Sequence, residues 1–262
     1  MFDVHYHLIF GVDDGPKTLE SSIELAQASI DQGITHIVAT PHASARYPYQ
    51  RQVNEDRLQI LREHFGDAIT LGLGCDFHLS YENLAELERE PTQFTINRSK
   101  YLLVEFPDFV NIDVYNDVLF RIIGTGIIPI VTHPERNPSL MENPTPLADW
   151  VHMGCLLQIT AASLWGHFGK SSQALCRRLI QANYVHLIAS DAHSMRGRPP
   201  AMAPGFEHLE KTYGQETARR LCIDNPRALF YGEPLPPQPE VGESLNGTKF
   251  AYGGFLGRWF GK

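Results

Sequence analysis

Seven apolar runs of five to seven residues recur along the first 190 positions, separated by stretches whose apolar residues fall three to four apart. The runs are Phe2–Leu8, Ile34–Thr40, Ile69–Cys75, Tyr101–Glu105, Ile127–Thr132, Cys155–Thr160 and Val185–Ser190. They read as strands, and the intervening spacing reads as helices. Thr18–Gln32 carries Ile23, Ala26 and Ile30 at helical spacing, with Gly33 placed to cap the C-terminus. Val53–Phe65 repeats the pattern with Leu58, Leu61 and Phe65, and Asp113–Ile123, Pro146–Met153 and Ser171–Asn183 fill the later gaps. Repeated β-then-α units predict an α/β fold with a parallel sheet and helices outside it. Seven units suggest a closed or nearly closed barrel related to the eightfold one, with its site at the C-terminal strand ends. A turn at Arg198-Pro-Pro200 and shorter helical segments then lead to about Tyr231. Beyond it Pro234, Pro236, Pro237 and Pro239 break any regular element, so residues 232–262 are expected to form a Pro/Gly-rich tail outside a 1–231 barrel. The end of that tail, Phe255–Lys262, is aromatic and basic, and reads as loosely packed chain in preference to a docking or membrane-surface peptide.

Composition narrows the partners. The 262 residues are 43% hydrophobic and 20% charged, ordinary for a globular protein, and the net charge is −8. With no dense Lys/Arg cluster, a nucleic-acid partner is excluded. No charged n-region precedes an apolar stretch at the start, and no run nears the roughly 20 residues a bilayer span needs, so neither a signal peptide nor a transmembrane segment is expected. Cys75, Cys155, Cys176 and Cys222 show neither C-x-x-C pairing nor a disulfide-framework spacing, and the expected compartment is the cytoplasm. Histidine is the outlier, with 12 copies.

Those histidines and the acids gather at the ends of the apolar runs. The first run holds His5 and His7, which alternation along a strand places on one face, and Asp13 and Asp14 follow in Gly11-Val-Asp-Asp-Gly15. The second ends Thr40-Pro-His42, the third Gly74-Cys-Asp76, the fourth Val104-Glu105 and the fifth Thr132-His133. The seventh ends Ser190-Asp-Ala-His193; only the sixth offers no such group. Each residue alone has an ordinary structural explanation, and His36, His64, His152, His186 and His208 fit one. His78 and His167 lie just past strands three and six, within reach of the rim. Together, buried carboxylates at one rim are costly unless cations neutralise them. Five histidines (His5, His7, His42, His133, His193) and four carboxylates (Asp14, Asp76, Glu105, Asp191) are more ligands than one ion takes. Two or three divalent ions are therefore expected, with Mn²⁺, Fe²⁺ or Zn²⁺ all compatible with mixed N/O ligation. A cluster of this kind activates water and clamps a phosphoryl group for in-line attack, so phosphate ester hydrolysis is the natural chemistry. Arg136 and Arg198, next to two of these strand ends, suit the phosphate oxygens. A thiol mechanism would need an Arg six residues after a Cys, where this chain has Tyr81, Ala161, Ala182 and Ala228.

Taken as a set, His5-Tyr-His7 with Gly11-Val-Asp-Asp-Gly-Pro-Lys-Thr18, Ala39-Thr-Pro-His42, Thr132-His-Pro-Glu-Arg-Asn137 and Ser190-Asp-Ala-His193 resemble the polymerase-and-histidinol-phosphatase (PHP) superfamily. Gln158-Ile-Thr-Ala-Ala-Ser-Leu164, Gly166, Phe168-Gly169 and Arg198-Pro-Pro200 are similar to its bacterial capsule and exopolysaccharide tyrosine-protein phosphatases. The resemblance covers Met1 to about Tyr231. It implies a distorted seven-stranded barrel and a trinuclear centre, usually with manganese. By that analogy one ion falls to His5, His7, Asp76 and Asp191, a second to Asp76, Glu105 and His133, and a third to Asp14, His42 and His193. Arg136 and Arg198 fall where the family binds phosphate. The bridging position, usually Glu in the family, is Asp76 here. The implied substrate is the phosphorylated tail of a bacterial tyrosine kinase. A small-molecule phosphatase, such as one for histidinol phosphate, and a non-catalytic subunit that binds a kinase tail are the alternatives. Rates on the two phosphoesters separate the first, and metal content separates the second.

Overall fold

The structure, a computed structural model, describes residues 1–107, 112–242 and 245. Nine parallel β segments are present among them: β1 (Phe2–Tyr6), β2 (His36–Ala39), β3 (His42–Ala43), β4 (Thr70–Leu73), β5 (Asp76–His78), β6 (Tyr101–Glu105), β7 (Ile128–Thr132), β8 (Leu156–Thr160) and β9 (Leu187–Ala189). Thr40-Pro41 alone separates β2 from β3, and Gly74-Cys75 alone separates β4 from β5. Each pair is one course of chain broken for two residues. Pro41 has no N–H to give a ladder, and a Cβ on Gly74 would lie 3.1 Å from the Ile96 side chain. Hydrogen bonds from Gly74 N–H to the Ala39 carbonyl (2.9 Å) and from Asp76 N–H to that of Pro41 (3.1 Å) carry the pairing across both breaks. Nine segments therefore make the seven strands expected from the apolar runs, in a closed parallel barrel.

The barrel closes between its first and last strands. Tyr6 bridges Ala192 in parallel register, with Asp191 N–H bonded to the His5 carbonyl (3.0 Å) and His7 N–H to that of Ala192 (2.9 Å). Helices α1 (Leu19–Asp31), α2 (Arg51–Phe65), α3 (Tyr81–Arg89), α4 (Ile112–Gly124), α5 (Pro138–Glu142), α6 (Thr145–Met153) and α7 (Lys170–Gln181) follow the strands. Thr18 caps α1 by accepting from Ser21 N–H, and Gly33 leaves its C-terminus at φ +78 as the left-handed cap requires. No helix among the described residues is long and apolar enough to cross a membrane.

Two apolar clusters hold the layers together. The larger lies between strands and helices and includes Leu25, Leu58, Leu61, Leu102, Trp150 and Leu179. The smaller fills the lumen below the site with Phe2, Val4, Leu103, Ile130, Leu156 and Leu187. Leu229 and Phe230 of a last short helix, α10 (Asn225–Phe230, after α8 at Met202–Tyr213 and α9 at Gln215–Arg219), belong to the same cluster and plug the N-terminal end. Residues 233–242 form neither helix nor strand and lie against the barrel. Tyr101 Oη donates to the Glu233 carbonyl (2.6 Å) and Tyr184 Oη to that of Gly242 (2.8 Å). The aromatic and basic Phe255–Lys262 lies outside the described residues.

Candidate metal centre

The register of β1 against β2 shifts between Asp3 and Tyr6. Such an irregularity re-aims side chains. Phe2 and Val4 join the lumen cluster, and Tyr6 packs outward with its hydroxyl on the Leu25 carbonyl and Ser29 Oγ, both at 2.9 Å. His5 and His7, both fully buried, face the C-terminal mouth with ring centroids 5.6 Å apart. Two other groups enter the mouth from left-handed backbone, His133 at φ +33 and Asp191 at φ +52. Non-glycine residues adopt that conformation at a cost on the order of 1–3 kcal/mol, which is tolerated where the surrounding structure holds it.

All nine candidate side chains meet there. His5 Nε2 lies 3.5 Å from Asp76 Oδ2 and 3.4 Å from Asp191 Oδ1, and His7 Nε2 lies 3.5 Å from the same Asp191 oxygen. Asp14 Oδ1 stands 3.3 Å from both His42 Nε2 and His193 Nε2. His42 Nδ1 faces Asp76 Oδ2 at 3.4 Å and Glu105 Oε2 at 3.6 Å, and His133 Nε2 is 3.8 Å from Glu105 Oε1. Three groups have donor atoms within 4.8 Å of one another: His7, Asp14, His42 and His193; His5, His7 and Asp76; and His42, Asp76 and Glu105. They keep Asp14, His42 and His193 together, as the family analogy has them, but add His7. His42, in place of His133, joins Asp76 and Glu105. Asp191 is not in these three groups; its Oδ2 is held by both arginines, by Arg136 Nη1 and by Arg198 Nη1 at 2.9 Å, while its Oδ1 faces the histidines. Arg198 also reaches Asp14 Oδ2 at 3.2 Å, and the Arg136 guanidinium lies 4.4 Å over the Phe168 ring. His78, read as able to reach the rim, sits 3.6 Å from Glu105 Oε2, whereas His167 is exposed.

The residues fit divalent cations. Nε2 of His5, His7 and His193 and Oδ2 of Asp76 are buried without a hydrogen-bond partner, an arrangement that costs about 1–3 kcal/mol per group if nothing else binds them. Two donors about 2.1 Å from a shared ion stand roughly 3.0–3.5 Å apart, close to the spacing measured between these atoms. The electrostatics point the same way. Burial alone would lower His5 and His42, yet Asp76 and Asp191 hold the first up at about 9, and Asp14, Asp76 and Glu105 do the same for the second. Burial raises Glu105, with the Asp76 charge adding to it. Burial opposes ionisation of Asp191, but His5 and Arg136 overcome it and keep the carboxyl far below the usual range. Without cations, protons on histidine and the two guanidiniums are what balance four clustered carboxylates.

Three acids or amides around this mouth were not singled out from the sequence as acting here. Asp13, weighed there as a rival to Asp14, turns away from the cluster's centre and orients it: Oδ2 accepts from His7 Nδ1–H at 2.7 Å and from His42 N–H at 3.1 Å, and Oδ1 from Gly15 N–H at 2.9 Å. Glu135 is fully buried; its Oε1 accepts from Thr160 N–H (2.9 Å) and Ser163 Oγ–H (2.7 Å), which pins the turn between His133 and Arg136 to the end of β8. Gln158 lies beside His5. The Asp-Asp-Gly and His-Pro-Glu-Arg motifs signalled the first two; nothing in the pattern marked the amide within an apolar run.

A family model described as capsular polysaccharide synthesis, CpsB/CapC, matches residues 1–231. Tyrosine-protein phosphatase YwqE of Bacillus subtilis (strain 168) is 35% identical over 256 residues, 94% of this chain and 99% of that one. Tyrosine-protein phosphatase CpsB of Streptococcus pneumoniae is 31% identical over 239 residues, covering 88% and 98%. A crystal structure from work on YwqE of Bacillus subtilis and CpsB of Streptococcus pneumoniae, described as metal-dependent tyrosine phosphatases, superposes with a TM-score of 0.83 at 32% identity, covering 92% of this chain and 99% of the other.

Proposed function

The chain belongs to the CpsB/CapC family of capsular polysaccharide synthesis and is a metal-dependent tyrosine-protein phosphatase; we propose that it acts on the phosphorylated tyrosine tail of a bacterial tyrosine kinase. The observation that carries the reading is one mouth in which unpartnered histidine and carboxylate donors lie within a few ångströms of two arginines. We propose His5, His7, Asp14, His42, Asp76, Glu105, His133, Asp191 and His193 as the ligands of two or three divalent ions. Mn²⁺ is the first choice for this mixed donor set, with Fe²⁺ or Zn²⁺ as alternatives. The cytoplasm is the proposed compartment, in keeping with four free, buried cysteines.

When bound, the ions supply Lewis acidity toward phosphoryl oxygen and a nucleophile from water at neutral pH. The protein's own groups do the rest. Arg136 and Arg198 converge on one carboxylate oxygen of Asp191, and a phosphoryl group in the mouth would compete for the same N–H donors. Their planar forks then offset charge on the equatorial oxygens. Asp191 keeps both guanidiniums in place before substrate arrives, and Phe168 stacks beneath Arg136. A tyrosine phenolate, with a pKa near 10, leaves readily, so the mouth requires no dedicated general acid.

The test compares kcat/KM of the Mn²⁺-loaded chain on a tyrosine-phosphorylated kinase-tail peptide and on histidinol phosphate, with His42→Ala as control. Preference for the peptide, abolished in the control, is the expected result. Equal or better turnover of the small phosphoester would move the assignment to a small-molecule phosphatase.

A further inference from the structure

Among the described strands, β8 alone has an end that offers the mouth no histidine or carboxylate, yet it sends a polar side chain inward. Gln158 is fully buried, and its Oε1 lies 2.9 Å from Nδ1 of His5, itself fully buried. The opposite ring nitrogen, Nε2, has no hydrogen-bond partner and looks at Asp76 Oδ2 and Asp191 Oδ1. We propose that Gln158 is a positioning residue that acts through His5, its amide oxygen holding the proton on Nδ1 so that the Nε2 lone pair faces the cation site. The inference rests on the metal-centre reading given above.

Chemistry at the neighbouring histidine shows why an amide stands here. His7 Nδ1 is oriented by a carboxylate, that of Asp13 at 2.7 Å. His5 already has Asp76 and Asp191 across its other edge, and a third buried carboxylate behind it would add negative charge to a layer where charge is costly. An amide supplies the acceptor without the charge. The amide's own orientation matters as well. Gln158 Nε2 has no partner, so its rotation is set by the contact to His5. Turned over, it would present N–H to Nδ1 and move the ring proton to Nε2, where it would point at the carboxylates and oppose a cation. Groups behind metal-binding histidines fix tautomer and orientation in this manner, and their loss weakens metal binding by roughly 10- to 100-fold.

The experiment uses the full chain, its Gln158→Met and Gln158→Glu variants, and Zn²⁺ and Mn²⁺ as probes. Chelator-competition titration gives the affinities, long-range ¹H–¹⁵N spectra of the Zn²⁺-loaded protein give the His5 tautomer, and thermal melts of the metal-free chains report fold. Gln158→Met is expected to weaken binding 10- to 100-fold, and Gln158→Glu to restore it, with the wild-type spectrum showing His5 protonated on Nδ1. A merely structural glutamine would lower the melting temperature and leave affinity and tautomer unchanged; that result overturns the proposal, as does a wild-type His5 protonated on Nε2, which is readable even if a variant does not fold. A wild-type chain that takes up no divalent ion would overturn the metal-centre reading itself, and this proposal with it.

Discussion

Removing the Asp13 carboxylate disturbs two candidate ligands without touching the cations they would hold. Its three accepted hydrogen bonds join the turn after β1 to the His7 ring and to the backbone of His42. The side chain is buried, and although burial opposes ionisation, the His7 contacts and Gly15 N–H hold its pKa down at about 2. In Asp13→Asn one of the two oxygens becomes an amide N–H₂. Whichever way it turns, a donor then faces either Gly15 N–H or the pair from His7 and His42. One charge-assisted bond is lost, worth about 1.5–3 kcal/mol. Asp13→Ala leaves all three donors without this acceptor and costs more. Metal affinity should fall roughly 10- to 100-fold in Asp13→Ala, where the His7 ring is no longer held, and less in Asp13→Asn, whose carbonyl oxygen can still accept from His7 Nδ1–H. Urea denaturation of the metal-free chain reads the first quantity and competitive metal titration the second. Asp13→Ala with wild-type affinity and a stability change under about 0.5 kcal/mol, the usual scatter for surface substitutions, would refute the orienting role.

Glu135→Gln should be nearly neutral to folding, since a carbonyl oxygen can still accept from Thr160 N–H and Ser163 Oγ–H while a buried charge disappears; Glu135→Ala strands both donors and should cost roughly 2–5 kcal/mol by denaturant titration. A loss in the Gln variant as large as that in the Ala variant would show that the charge itself is required. His186 is buried and accepts from Leu157 N–H at Nδ1, and burial, with Arg220 nearby, depresses its pKa to about 4. The unfolded chain takes up this proton near pH 6.5 and the folded one only near 4, so stability falls as pH drops through that window, by roughly 3 kcal/mol in all. His186→Gln should flatten the stability curve between those pH values, and an unchanged slope would argue against it. Chelation should lower the melting temperature by roughly 5–10 °C, the shift expected when an ion at about a hundred times its Kd is withdrawn. Identical melts with and without chelator would mean that the ions do not favour the folded state.

Most of the architecture was legible because each apolar run ends in a residue of a different kind. Tyr101–Glu105 is a strand with the boundaries read from the sequence, and the α1, α6 and α7 patterns match helices to within two residues. The interruptions at Pro41 and Gly74 were less visible, since the apolar character continues across them while only the backbone pairing changes. α3 at Tyr81–Arg89 was missed; it is mostly polar, with only Leu87 buried, so periodicity had little to act on. In the site, the candidate ligands stood out because charged residues at strand ends are rare without function. Gln158 did not, and Glu135 was marked only as part of its motif, for different reasons. One is hidden in an apolar run, and the other sits beside an arginine that invites a surface ion pair, whereas the structure gives it Thr160 and Ser163.

Closure of the barrel through Tyr6 and Ala192 sets a clock on the site during synthesis. His5 and His7 are made with the first strand of the barrel, whereas Asp191 and His193 emerge only after six further strands have been made. At ribosomal speeds of about 5–20 residues per second, the early histidines wait on the order of 10–40 s for their partners. Until the last strand docks, the opening pair belongs to an unfinished barrel with no Asp191 opposite His5. Cations can find the completed arrangement only once almost the whole barrel has been made, and a nascent chain stopped before residue 190 lacks Asp191 and His193, two of the nine candidate ligands.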